Sequence, residues 1–308
     1  MNKNDFLKHE HIAAFINYLV EELKGKRSIA HNYQMETKGK SNKLIDWNCK
    51  NVFDAYSNYE WPFSFKSFLE QDKLWPEELY DPVKFKVKGR TYDESEVVLT
   101  ILSSELRQAV SDGNTQKCFE CCHMILDWGG VLGGEKSGNL RFLLESKEYL
   151  ASYLQQIKMY FESSELTLGS KYTVNVSGEN YPIKMNAGFT KIYALLCDSF
   201  VIYDGRVGAA LGLIEKKFYN DENIPQSKIL SFRFGKAKNP KVNRNPSDET
   251  YEFKALHSSN PIHTTNNIKA NWILDKAISS LPNTISFGSC KAPLRALEAA
   301  LFMIGYRV

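Results

Sequence analysis

The chain lacks any run approaching the roughly 20 consecutive apolar residues of a membrane span, so no membrane partner is expected. Its opening residues, Met1 to Leu7, lack the apolar core of a secretion signal, and the expected location is the cytoplasm. Charge of one sign is not in excess: 39 Lys and Arg stand against 36 Asp and Glu, a net charge of +3. That balance neither demands nor excludes nucleic acid, so local clustering has to decide. Internal repeats and low-complexity tracts are absent. The six cysteines, at 49, 118, 121, 122, 197 and 290, show no iron–sulfur spacing. Cys118-Phe-Glu-Cys121-Cys122-His123 has no second ligand pair near it, as a zinc site would need. These thiols fall in a helical pattern and read as core; no metal and no cofactor is expected. The glycine-rich stretch from Trp128 to Asn139 lacks a Gly-Lys-Ser/Thr ending, which argues against a nucleoside triphosphate site.

With 308 residues, 43% hydrophobic and 24% charged, the chain reads as globular, and long enough for two lobes around a sizeable core. Apolar spacing predicts helices over 10–24, 94–110, 115–128, 140–161, 189–198 and 205–219. Further helices are expected from Ile268, after a Thr/Asn capping region, and from Pro293 through Ile304, where proline suits a helix start. Period-two alternation predicts a strand over 83–90 turning at Gly89, and 171–184 reads as a hairpin turning near Gly178. Residues 25–45 are polar and basic and read as loop. The fold class is therefore mainly α with minor β. A helical and short-strand region over 1–110 and a helical region over 111–308 are expected in one compact two-lobed unit.

Four segments invite functional readings. Trp47 to Phe63 is dense in aromatics, and is either a core layer or a stacking platform for a base. The glycines at 129, 130, 133, 134 and 138 lie between two helices, and are either a connector or a close backbone contact for a ligand. Arg233, Lys236, Lys238, Lys241 and Arg244 crowd a proline-bearing loop with no acidic residue, a candidate phosphate track. The fourth segment is Gly188-Phe-Thr190-Lys191-Ile-Tyr193, followed by Ile202-Tyr203-Asp204-Gly-Arg206-Val. A lysine opens one helix and an aspartate opens the next. An ammonium at a helix N-terminus is pushed toward its neutral form, which can attack a sugar C1′ as a Schiff-base nucleophile. A carboxylate can stabilise the oxocarbenium charge that develops as a glycosidic bond breaks. Tyr193 and Tyr203 are candidate walls of a base pocket or core residues. Arg206 is a candidate phosphate or carboxylate ligand or a surface ion pair.

The block from about 185 to 212 resembles the helix-hairpin-helix DNA glycosylase superfamily. More closely, it is similar to prokaryotic 8-oxoguanine DNA glycosylase-like proteins. The resemblance rests on Thr190-Lys191 opening a helix and on Ile202-Tyr203-Asp204-Gly205-Arg206-Val207 opening the next. The Trp128-Gly-Gly-Val block and Asn243-Arg-Asn-Pro-Ser are further family-like features without an assigned role. The resemblance implies glycosylase-like helical lobes, Lys191 as the Schiff-base lysine and Asp204 as the catalytic aspartate. The implied partners are nucleic acid or a modified purine of the 8-oxoguanine or deazaguanine type. Such proteins occur in antiviral operons, including cyclic-oligonucleotide signalling systems, so an operon protein partner is a further implication. The superfamily hairpin carries Leu-Pro-Gly-Val-Gly; here Lys184-Met-Asn-Ala-Gly188 keeps one glycine, one place early relative to the lysine. That departure admits a second reading, a glycosylase-fold module that binds without turnover.

Overall fold

Capping chemistry in the sequence sets four of the helix starts in the computed structural model, which describes all residues except 37–43, 66–87, 137, 170, 257–258, 289 and 291. Thr91 and Glu94 form a reciprocal capping box at the start of α4 (Tyr92–Ser111). Asn51, Asn114 and Asp204 cap α3 (Val52–Ser57), α5 (Thr115–Trp128) and α9 (Gly205–Glu222) through their side chains. The other helices are α1 (Lys3–Lys8), α2 (Glu10–Leu23), α6 (Gly138–Glu145), α7 (Leu150–Glu162), α8 (Phe189–Leu196), α10 (Asn260–Ser279) and α11 (Pro293–Ile304). About 52% of the chain is helical and the strands are short, so the fold is mainly α.

Four sequence expectations need correction. The loop expected over 25–45 contains β1 (His31–Glu36), which pairs antiparallel with β2 (Leu44–Cys49). The hairpin hides in a polar composition, but Tyr33 lies opposite Trp47, both are buried, and their rings stack at 4.6 Å. The helix expected over 140–161 breaks at Ser146, whose hydroxyl donates back to the Phe142 carbonyl at 2.7 Å. Helix α10 starts at Asn260, so the Thr/Asn run expected as its cap lies inside it. There the Thr264 and Thr265 hydroxyls donate to the Asn260 and Pro261 carbonyls. Gly89 does not turn the chain. It lies in β4 (Lys88–Gly89), paired with β3 (Phe63–Ser64), and an added Cβ would stand 2.6 Å from the Phe63 ring. Residues 83–87 of that expected strand lie outside the described residues. A two-residue extended segment, β5 (Gly133–Gly134), follows α5. The hairpin of β6 (Thr173–Val176) and β7 (Glu179–Pro182) turns at Ser177 and Gly178, both with positive φ, as a tight two-residue turn requires.

The chain divides into two compact units. The first comprises Met1–Asn2, Glu60–Ile202 and Ser258–Thr265. In it α4, α5, α7 and α8 pack around Leu102, Leu106, Cys122, Ile125, Leu154 and Ile192, all fully buried. The second comprises Lys3–Tyr59, Tyr203–His257 and Asn266–Val308. There α9 packs on α2 and α11, and α11 packs on α3. Phe15 meets Phe218 edge-on at 5.4 Å, inside a core that also takes in Phe232.

Glu215 of α9 is fully buried in this second core. Its Oε1 accepts from the Tyr219 hydroxyl at 2.8 Å and its Oε2 from the Phe232 amide at 3.0 Å. Burial pushes the carboxyl up to about 8, against the opposing pull of those hydrogen bonds and of Lys269. The folded state therefore keeps a proton that the unfolded chain has lost, from the ordinary carboxyl value up to about pH 8. Across that window stability falls as pH rises, by about 1.4 kcal/mol per pH unit at most, and levels off above it. Glu215→Gln is expected to remove that component, so denaturant midpoints between pH 5 and 8 should be flatter in the variant. Equal slopes in the two proteins would show that Glu215 is ionised when folded.

Candidate functional site

In the first unit, the segment before α8 is organised by one asparagine. The Asn186 Oδ1 accepts from the Gly188 and Phe189 amides at 2.8 and 3.1 Å. Its Nδ2 donates to the Asn139 Oδ1 at 2.8 Å, and Asn139 in turn donates to the Val131 carbonyl at 2.7 Å. The amides that a phosphate-gripping hairpin would present are thus satisfied within the unit. Gly188 is the N-cap of α8, and Asn186, two residues before it, supplies the side-chain acceptor for the amides of that turn.

All eight residues of α8 are buried. Lys191 sits in its first turn with 6% of its surface exposed. The Nζ donates to the Ala187 carbonyl at 2.8 Å. The stem lies along the backbone at Gly129, where an added Cβ would stand 2.5 Å from Cδ and 2.7 Å from Cε. Gly130 follows with a φ of +63°, and the Trp61 indole donates to the Trp128 carbonyl at 3.1 Å. The glycine block singled out in the sequence therefore forms one wall of the lysine's slot. Thr190 is fully buried and donates to the Ala187 carbonyl at 3.3 Å. Tyr193 is buried too, its hydroxyl donating to the Lys184 carbonyl at 2.8 Å among Phe161, Phe189 and Phe200. Burial pushes its phenol well above the ordinary value.

In the second unit, Asp204 caps α9. Its Oδ1 accepts from the Arg206 and Val207 amides at 2.8 and 3.0 Å, which fixes the carboxylate. Its Oδ2 makes no hydrogen bond among the described residues. The buried Tyr203 hydroxyl donates to the Arg233 carbonyl at 2.8 Å and accepts from the Arg233 amide at 3.0 Å. The Arg206 guanidinium lies over the rings of Phe302 at 4.1 Å and Tyr306 at 4.8 Å. Burial lowers its pKa, and Asp204 is the first of the groups that oppose the shift. The five basic residues of the 231–247 loop do not act alike. Arg233 donates to the Ala255 carbonyl and Arg244 to the Tyr306 carbonyl, while Lys236, Lys238 and Lys241 are exposed.

Cys118, Cys121, Cys122 and Cys197 are buried free thiols. Burial pushes Cys118 and Cys121 up to about 12, so these sulfurs stay protonated and unreactive at neutral pH. Among the described residues, no group of three or more His, Cys, Asp and Glu is placed to hold a metal ion. His263 is buried in the first unit, and His257 lies outside the described residues. No helix among the described residues is long and apolar enough to cross a membrane.

Lys191 and Asp204 thus occupy the first turn and the N-cap of two successive helices, each immobilised by its own unit. The chain matches no protein-family model, no curated protein and no solved structure.

Proposed function

We propose that the protein is a glycosylase-like enzyme that recognises a modified purine, of the 8-oxoguanine or deazaguanine type, and cleaves its N-glycosidic bond. The observation that carries this reading is the burial of Lys191 in the first turn of an apolar helix, its stem seated against Gly129. A lysine is rarely enclosed this way unless its amine has a task. The amine lone pair forms a bond to C1′ as the bond from C1′ to the base nitrogen breaks. The base leaves with the electrons of that C1′–N bond and takes the proton that the alkylated amine gives up, and opening of the sugar ring then leaves the Schiff base. The role of the stabilising carboxylate falls on this reading to Asp204 of the second unit, which keeps one oxygen beyond its cap of α9. The exposed Lys236 and Lys238 supply salt-sensitive phosphate contacts. Action in the cytoplasm, in antiviral defence beside an operon partner, belongs to the same reading.

The Asn186 cap favours a second reading, a module that binds a modified base or a partner protein without turnover, because it consumes the amides of Gly188 and Phe189. Borohydride trapping on strands carrying 8-oxoguanine or 7-deazaguanines separates the two. The wild-type protein should form a covalent adduct that Lys191→Gln does not form. Asp204→Asn keeps a capping oxygen, so it should lose adduct formation while its melting temperature stays close to wild type. No adduct and no base release on any strand would leave the binding reading.

A further inference from the structure

The second unit carries a cavity of about 270 Å³ that the proposed chemistry does not use. Its cationic lining is Lys241 and Arg307; its apolar lining is Leu44, Val242 and Tyr306. We propose that this pocket binds a nucleotide, its phosphate held by Lys241 and Arg307 and its base against Tyr306, Leu44 and Val242.

The site is built before any ligand arrives. The chain end is zipped to the basic loop: the Val308 amide donates to the Asn243 carbonyl at 3.0 Å and the Arg244 Nε to the Tyr306 carbonyl at 3.2 Å. On the other side the Tyr33 hydroxyl donates to the Met303 carbonyl at 2.8 Å. Tyr306 stacks on Tyr33 at 5.2 Å, and Tyr33 on Trp47 at 4.6 Å, so the aromatic wall is held by two further rings. The Tyr306 ring, fixed this way, loses little freedom on binding.

The charges are unbalanced in the same place. Arg27, Arg90, Arg107, Arg141 and Arg295 each pair with a carboxylate. Arg307 and Lys241 pair with none among the described residues. Asp46, near the rim, already accepts from Gln34 at 3.2 Å. Inorganic phosphate alone would leave the apolar wall wet, where Leu44 is 61% exposed. A nucleotide covers that wall as well. The volume lies just under the roughly 300 Å³ at which ligand sites begin, which suits one base with its phosphate.

Titration calorimetry with inorganic phosphate, guanosine, guanosine 5′-monophosphate and a short oligothymidylate tests the assignment. The monophosphate or the oligonucleotide should bind at least tenfold more tightly than phosphate or guanosine. Tighter oligonucleotide binding assigns the site to a strand, and tighter monophosphate binding to a free nucleotide. Lys241→Gln with Arg307→Gln should weaken the preferred ligand at least tenfold and flatten its salt dependence. Tyr306→Leu should abolish the preference over inorganic phosphate. Lys191→Gln should bind like wild type, so failure of the glycosylase reading leaves this site standing. No binding at millimolar ligand, or unchanged binding in the double variant, would overturn the assignment.

Discussion

Gly305→Ala should cost the second unit about 3 kcal/mol or more, the upper end of overpacking effects. Gly305 caps the C-terminus of α11, and its added Cβ would collide with the Arg206 carbonyl oxygen, with the Arg206 carbonyl carbon 2.6 Å away and the Ala210 amide 2.9 Å away. All three obstacles are backbone atoms of α9, so no rotamer change relieves them. Either α11 slides off α9 or the first turn of α9 unwinds. The second route also disturbs the Asp204 cap and the Arg206 stack on Phe302 and Tyr306. A thermal melt should show the transition lowered by about 6 °C or more, at roughly 2–4 °C per kcal/mol. A melting temperature within about 1 °C of wild type would mean that α11 and α9 stand further apart.

Gly129→Ala should do the opposite: little to stability and much to chemistry. Gly129 has φ −73° and ψ −7°, which alanine adopts without strain. Its Cβ, however, falls on the stem of Lys191, within 2.7 Å of both Cδ and Cε. The flexible stem yields before the backbone does, and the amine moves with it. A displacement near 1 Å at a reacting group costs about 100-fold in rate. Adduct formation should therefore drop about 100-fold, with the melting temperature changed by no more than about 3 °C. Trapping at the wild-type rate would remove Gly129 from the site and, with it, the argument that the slot positions the amine.

Local chemistry was the legible part of this fold. Thr91 with Glu94, Asn114 ahead of α5 and Gly178 in its hairpin each act over a few residues, and the sequence shows them directly. The order of Lys191 and Asp204 at two helix starts was legible for the same reason. What stayed hidden depends on distant partners. The β1–β2 hairpin rests on one cross-strand ring pair, Tyr33 with Trp47, inside a polar stretch. At the Ser146 break the hydroxyl turns back to Phe142 and Leu143, a choice of partner the sequence does not show. Gly129 read equally as connector or ligand contact, because its role lies in a lysine 62 positions away in the sequence. Likewise Arg244 looked like one charge among five, and only the fold joins it to Tyr306.

The segmentation of the second unit bears on how the chain is made. Lys3–Tyr59 belongs to that unit, but Phe15 of α2 finds its aromatic partners only at Phe218 and Phe232. At about 5–20 residues per second, some 10–40 s separate the synthesis of α2 from that of its partners. During that delay the apolar face of α2, with Ile12, Phe15 and Leu19, has no core to enter. The long segment Glu60–Ile202 emerges in between and carries most of the first unit's core. The residues of the first unit's core are therefore all synthesised before α9, while the Phe15 ring still waits for Phe218 and Phe232.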